Sequence, residues 1–308
     1  AFVGGIFQDS KTNMMSRGNT YTLVEADEFD RSFLHLSPTI ACITSMDIDH
    51  LDVYSDAASL QDAYGEFASQ VKGSLFVEKR IPLKGITYSV TEAADFYIDG
   101  IKPDASGSYF DLHTPDGVYR NQFFNQLGMH NLSNALVALA MASKAGLPVE
   151  DLAESLASFP GVQRRLQILI NEKDRVLIDD YAHHPTEIKA VYETLKLSFP
   201  ADKKCVVFQP HLFSRTQDFM TDFATVLSLF DRVLLLDIYP ARELPIEGVS
   251  SAVLKEMISG PSVELITKKE LANTLSLVDE RIIVLLGAGD IGEEVEGIKH
   301  KLLFDEAL

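Results

Sequence analysis

The sequence predicts an α/β protein in two parts, a first part that carries β hairpins and a second, mainly parallel, doubly wound domain. Three observations carry that expectation. From about residue 166 onward, short apolar runs alternate with segments of helical periodicity, the pattern of a parallel sheet with crossover helices. Between Gly85 and Phe124 the runs are instead short, alternating and separated by Gly, Pro and Asp turns, the pattern of antiparallel hairpins. Pro160-Gly161 breaks the helical pattern between the two, so a compact hinge is expected near residue 160.

In chain order, residues 21–25 and 39–44 read as buried strands ending in polar residues, with a helical turn over 30–36 between them. Ile86 to Val90, Phe96 to Gly100 and Ser108 to Leu112 are the hairpin strands. Two helices follow, over 131–144 and 149–159; Leu132, Leu136 and Leu139 stand at helical spacing in the first, and Gly146 lies just past its end. Strands are then expected over 166–170, 176–178, 205–208, 233–237 and 282–286, and helices over 186–198, 217–229, 251–259, 269–278 and 293–302.

A chain of 308 residues with 46% hydrophobic content can bury two cores. Its formal charge of -18 excludes a surface built to track nucleic-acid phosphates or anionic membranes, so any phosphate site must be local. Cys42 and Cys205 each lie in an apolar segment and read as buried thiols in a reducing cytoplasm. No apolar run approaches the roughly 20 residues that span a bilayer.

The densest cluster of chemistry is Asp179-Asp180-Tyr181-Ala182-His183-His184-Pro185-Thr186-Glu187, between an apolar strand and a helix that Pro185 can open. Ligands bind at the carboxyl ends of strands in open α/β sheets; the same residues also fit a polar loop that only caps the next helix. Gln209-Pro210-His211-Leu212-Phe213-Ser214-Arg215-Thr216 follows another strand, and Arg215 there could clamp a carboxylate. Earlier, Glu25 with Asp47, Asp49, His50 and Asp52 offers oxygen and imidazole donors suited to Mg²⁺, or a set of capping acids with a surface His. Gly128-Met129-His130-Asn131-Leu132-Ser133-Asn134 leads into a helix and offers groups for a nucleobase edge or a phosphate, although Asn and Ser are also common caps. Gly161-Val162-Gln163-Arg164-Arg165 supplies a twin guanidinium at the expected hinge.

Two glycine-rich runs are decoys. Gly287-Ala288-Gly289-Asp290-Ile291-Gly292 fits GxGxxG, but the sixteen residues after it cannot complete a βαβ unit, so a nicotinamide site is not expected. Gly5 to Thr12 has Ser10 in place of the last P-loop glycine and no strand before it.

Taken in order, Val24-Glu25-Ala26-Asp27-Glu28-Phe29-Asp30-Arg31-Ser32-Phe33-Leu34, Asp49-His50-Leu51-Asp52, Gly128 to Asn134, Asp180 to Glu187 and Tyr239-Pro240-Ala241-Arg242-Glu243 resemble the Mur ligases across essentially the whole chain. His183 to Glu187 and Tyr239 to Glu243 are similar to the members that use L-alanine. The resemblance implies that residues 1–160 are the C-terminal part of a central ATPase domain and 161–308 a Rossmann-like, amino-acid-binding domain. The UDP-sugar domain and phosphate-binding loop would lie upstream of Ala1, so the chain by itself is expected not to turn over ATP.

The resemblance further implies ATP and Mg²⁺ as cofactors and UDP-N-acetylmuramate and L-alanine as substrates, in peptidoglycan precursor synthesis. ATP would phosphorylate the muramate carboxylate, and the L-alanine amine would displace phosphate to form an amide. Residue by residue, Glu25 and His50 match the Mg²⁺ ligands, and His130, Asn131 and Asn134 the adenine-side loop. Arg165 and Asp180 match nucleotide contacts, and Tyr181, His183 and Arg215 the amino-acid side. Met129 and Leu212 stand where some members have Arg. Alternatives are a murein peptide ligase and a non-catalytic nucleotide-binding module.

Overall fold

The protein is described by a computed structural model over residues 1–46, 54 and 56–304, and the chain forms two compact units, Ala1–Pro160 and Gly161–Leu308. The α/β class expected from the sequence is what both units show.

The first unit holds a six-stranded sheet in the order β1 (Ile40–Ile43), β2 (Ser74–Glu78), β3 (Ile86–Ser89), β4 (Phe96–Pro103), β5 (Ser108–Thr114) and β6 (Gly117–Phe124). β1 to β4 pair in parallel and β4 to β6 antiparallel, so the expected hairpins begin only at β4. The link from β3 to β4 is folded back on itself, Asp95 accepting from the Thr87 amide at 2.8 Å and hydroxyl at 2.7 Å. Helix α1 (Ala57–Gln70) escaped the sequence reading because its capping box pairs Asp56 with Ser59, where Glu or Gln is the usual sign. Helix α2 (Met129–Lys144) buries Leu132, Leu136 and Leu139 in one cluster with Phe76, Tyr88, Phe96 and Leu112; each such side chain contributes about 1.5–3 kcal/mol of transfer free energy. Helix α3 (Val149–Ala157) closes the unit.

Residues 21–25 do not form the buried strand expected. Val24 makes only an isolated bridge to Phe2, and Tyr21, Leu23 and Val24 are exposed. A strand needs a ladder on its edge, and the backbone bonds here are the Phe2 amide to the Leu23 carbonyl at 2.8 Å and the Glu25 amide to the Phe2 carbonyl at 3.0 Å. The turn over 30–36 is a 3-10 segment, Phe29–His35.

The second unit holds a six-stranded sheet of β7 (Gln167–Asn171), β8 (Val176–Asp180), β9 (Lys204–Phe208), β10 (Arg232–Leu235), β11 (Ser262–Leu265) and β12 (Ile282–Leu286), ordered β11-β10-β9-β12-β8-β7. All pairs are parallel except β7 with β8. β12 is apolar at five consecutive positions, all buried, because it lies between two neighbours with both faces covered. Leu177, Val207, Leu234 and Ile283 pack under α8 (Lys268–Ser276) and α9 (Val295–Phe304). Phe208, of opposite parity, packs on Phe223 at 5.2 Å in α6 (Met220–Leu227), with α4 (Pro185–Ser198) and α7 (Ser251–Met257) beside that helix. The single helix expected over 217–229 is two, α5 (Phe213–Asp218) and α6. Edge strand β11 escaped prediction because three of its four residues are exposed and none is buried, so no apolar pattern marks it.

Candidate active site

β8 runs two residues past its apolar core, so Asp179 and Asp180 lie inside the strand and are only 2% and 4% exposed. Two adjacent carboxylates in a parallel strand point to opposite faces, and each needs its own partner. Asp179 takes Arg164, with Nε 3.3 Å from Oδ2; burial pushes its carboxyl up against that charge. Asp180 takes backbone donors, the Leu166 amide at 2.6 Å and the Ala182 amide at 2.8 Å. Burial pushes its carboxyl up to about 6, against those two bonds and the nearby charge of exposed Arg165.

Arg164 is the centre of this corner. Its guanidinium also donates to the Gly287 and Gly289 carbonyls and lies 5.0 Å from the Tyr181 ring centroid. The Tyr181 amide returns to the Arg164 carbonyl at 2.8 Å. Arg164 and Leu166 both have positive φ, 58° and 45°, a cost of about 1–3 kcal/mol each that the surrounding bonds hold in place. The same packing explains the glycine-rich decoy. A Cβ on Gly289 would stand 2.4 Å from Gln209 Oε1 and 2.7 Å from Tyr239 Cβ, and one on Gly292 would stand 2.8 Å from Arg164. Gln209 holds that loop directly, donating to Asp290 at 2.8 Å and accepting from the Ile291 amide at 2.9 Å.

Beyond β8, His183 and His184 turn the chain into α4. Glu187 accepts from both their amides, at 2.8 and 3.1 Å, in a capping box. The His183 ring lies edge-on to Tyr181 at 5.5 Å and to His211 at 6.0 Å. His211 stacks on Tyr239 at 5.7 Å and its Nδ1 is buried without a hydrogen-bond partner among the described residues. Burial, with His183 and Arg215 beside it, pulls its imidazole down to about 4 against the pull of Glu243, so it is neutral at ordinary pH. Arg215 stands in the first turns of α5, half-buried and without an ion pair among the described residues. In the second unit His183 and Arg215 thus lie beside His211, with Tyr181 against His183 and the Glu187 and Glu243 carboxylates at the edge; the Arg215 guanidinium is the group suited to a small carboxylate.

In the first unit, the Gly4 amide donates to the exposed carboxylate of Glu25. His50, with Asp47, Asp49 and Asp52, lies outside the described residues. On α2, His130 and Asn134 are both exposed and one turn apart, while Asn131 turns back to donate to the Leu127 carbonyl at 2.8 Å. His130 and Asn134 therefore face outward at a helix N-terminus, and Asn131 fixes the turn that presents them. Cys42 is half-buried, its thiol raised to about 12 by burial, and Cys205 is fully buried.

Gln209, His211, Tyr239 and Glu243 lie in segments the sequence marks without being singled out there, and of the twin guanidinium pair the resemblance assigns a contact to Arg165 rather than to Arg164. The signal available is position: Gln209, His211, Tyr239 and Glu243 lie in the loops after the parallel strands β9 and β10, whereas Arg164 precedes the antiparallel edge strand β7 and carries no such signal.

Residues 7–142 match the Mur ligase middle domain, and residues 164–289 the Mur ligase, glutamate ligase domain. The chain is 50% identical over 307 residues to a UDP-N-acetylmuramate–L-alanine ligase of Christiangramia forsetii, spanning 99% of this chain and 68% of that protein. It is 51% identical over 304 residues to the enzyme of the same name in Flavobacterium psychrophilum, spanning 98% and 68%. Among solved structures it is similar to the UDP-N-acetylmuramate–alanine ligase MurC of Thermotoga maritima, with a TM-score of 0.80, 24% identity and coverage of 96% and 67%. It is also similar to MurF of T. maritima in complex with ADP, with a TM-score of 0.70, 17% identity and coverage of 92% and 67%.

Proposed function

This chain belongs to the Mur ligase family, and from that premise we propose how its residues divide the work. It is an ATP-dependent ligase that joins L-alanine to UDP-N-acetylmuramate. The observation that carries this reading is the identity of about half of all positions with L-alanine ligases over nearly the whole chain. The sugar carboxylate attacks the γ-phosphorus and ADP leaves; the amine of L-alanine then attacks the acyl carbon, expels phosphate and loses a proton. Charge builds on the transferring phosphoryl group, and fixed cations and dipoles stabilise it.

Residues 1–160 are the C-terminal part of the ATPase domain and 161–308 the amino-acid-binding domain. His130 and Asn134 meet the nucleobase, on a turn held by Asn131. Glu25 and His50 hold Mg²⁺. The Glu25 carboxylate fits that role, being exposed with one backbone donor and lone pairs left for a hard cation. When bound, Mg²⁺ neutralises phosphate charge. Arg165 offers an exposed guanidinium to phosphate. Asp180, with both oxygens engaged by backbone, serves the nucleotide side by fixing residues 165 to 182 rather than by reaching out. Arg215 takes the carboxylate of L-alanine, with Tyr181 and His183 flanking the amine. Dependence on ATP and a nucleotide-linked sugar supports a cytoplasmic reaction. No helix among the described residues is long and apolar enough to cross a membrane.

Phosphate release by the gene product carrying this chain tests the reading. Release that requires UDP-N-acetylmuramate, Mg-ATP and L-alanine together is expected. Release that requires a recycled cell-wall tripeptide as acceptor and ignores L-alanine would move the reading to a peptide ligase.

A further inference from the structure

The Tyr239 to Glu243 segment marks the resemblance and borders the amino-acid side, with Tyr239 stacked on His211. We infer that Glu243 is a positioning residue for the amino-acid acceptor: its carboxylate caps α5 from a separate loop, aims Arg215, and leaves that guanidinium unneutralised. The inference rests on the assignment of Arg215 to the L-alanine carboxylate.

Helix α5 has six residues, too few to be stable alone, and its N-cap position, Leu212, supplies no side-chain acceptor and sits at φ 70°. Glu243, 29 residues away, supplies what is missing. Its Oε2 accepts from the Ser214 amide at 2.9 Å and its Oε1 from the Ser214 hydroxyl at 2.5 Å. Burial pushes the Glu243 carboxyl up, but the bonds from Ser214 and from the Phe213 amide, with His211 nearby, outweigh it and hold the group ionised. The two loops are stitched along their length. The Leu212 amide donates to the Tyr239 carbonyl at 2.9 Å, the Tyr239 amide to the Pro210 carbonyl at 2.8 Å, and the Glu243 amide closes its own turn on Pro240 at 2.8 Å.

The geometry separates this role from direct binding. A carboxylate aimed at an amino-acid carboxylate would repel it, whereas one consumed by the donors of Phe213 and Ser214 does not compete for Arg215. Arg215 is the residue after Ser214 and forms no ion pair among the described residues. A brace on residue 214 therefore fixes the direction of residue 215 without spending its charge.

The test compares Glu243→Gln and Glu243→Asp in the gene product carrying this chain. For E243Q the KM for L-alanine is expected to rise about tenfold with the KM for ATP nearly unchanged, and E243D is expected to recover most of the loss. Hydrogen exchange at residues 213–216 should accelerate in E243Q while β9 stays protected. An unchanged KM for L-alanine, or an equal rise for ATP, overturns the inference. Should the wild type prove indifferent to L-alanine, the assigned reaction fails on its own account, and exchange decides the brace: faster exchange at 213–216 upholds it and unchanged exchange removes it.

Discussion

Glu25 and Asp180 are both carboxylates that the sequence places at expected strand ends, and the protein holds them in opposite ways. Glu25 is exposed, with a single backbone donor among the described residues, from Gly4. Asp180 is buried, with a backbone donor on each oxygen, next to an Asp179 that has its own guanidinium. The first kind of site is open to a ligand and contributes little to the fold. The second is part of the fold, and what it offers a ligand passes through the backbone it fixes.

The comparison breaks most visibly at Arg164. Arg164→Ala leaves Asp179 buried without a counter-charge and two glycine carbonyls without a donor, and should cost the second unit about 3–5 kcal/mol in a urea titration. A cost below about 1 kcal/mol would mean that the buried corner relaxes into water. Next comes the pair itself. Asp180→Ala strands the Leu166 and Ala182 amides and should cost about 2–4 kcal/mol, against less than about 0.5 kcal/mol for Glu25→Ala. Equal costs would erase the distinction.

The pH dependence sharpens it further. Asp180 is raised to about 6, so it binds more protons folded than unfolded; the stability this gives is present near pH 4 and lost as pH rises through 6. His211 is lowered to about 4, so its contribution is present above its unfolded value and lost as pH falls toward 4. The two oppose each other between pH 4 and 6. Asp180→Ala should therefore show stability that climbs with pH over that window, and His211→Gln stability that declines, both read as shifts in denaturation midpoint. The smallest effect on the fold is expected from His130→Ala with Asn134→Ala, within about 0.5 kcal/mol. Their effect should fall on nucleotide binding instead, about tenfold weaker by titration calorimetry.

Much of this was legible in the sequence. Alternating apolar runs and helical segments gave the sheet of the second unit, because a buried parallel strand must be apolar on both faces and its crossover must be amphipathic. The α1 helix was not legible, since Ser59 stands where a capping box normally shows Glu, and the β3–β4 link reads as a hairpin until Asp95 is seen folded back on Thr87. The Asp179-Asp180 pair reads as a polar loop because charge normally ends a strand; only Arg164 and two amides make it affordable inside one.

By itself the sequence determined the class of the protein, most elements of the second unit and the segments where chemistry gathers, all of which follow from periodicity and from turn and cap residues within a few positions of one another. Tertiary structure alone decided which residues in those segments do what. Arg164 and Arg165 are neighbours, yet one is turned inward at φ 58° onto Asp179, Tyr181 and the glycine loop while the other is exposed. Glu243 finds Ser214 across 29 residues. Burial and hydrogen-bond partnership are set by segments far apart in the chain, and no local pattern records which of them will meet.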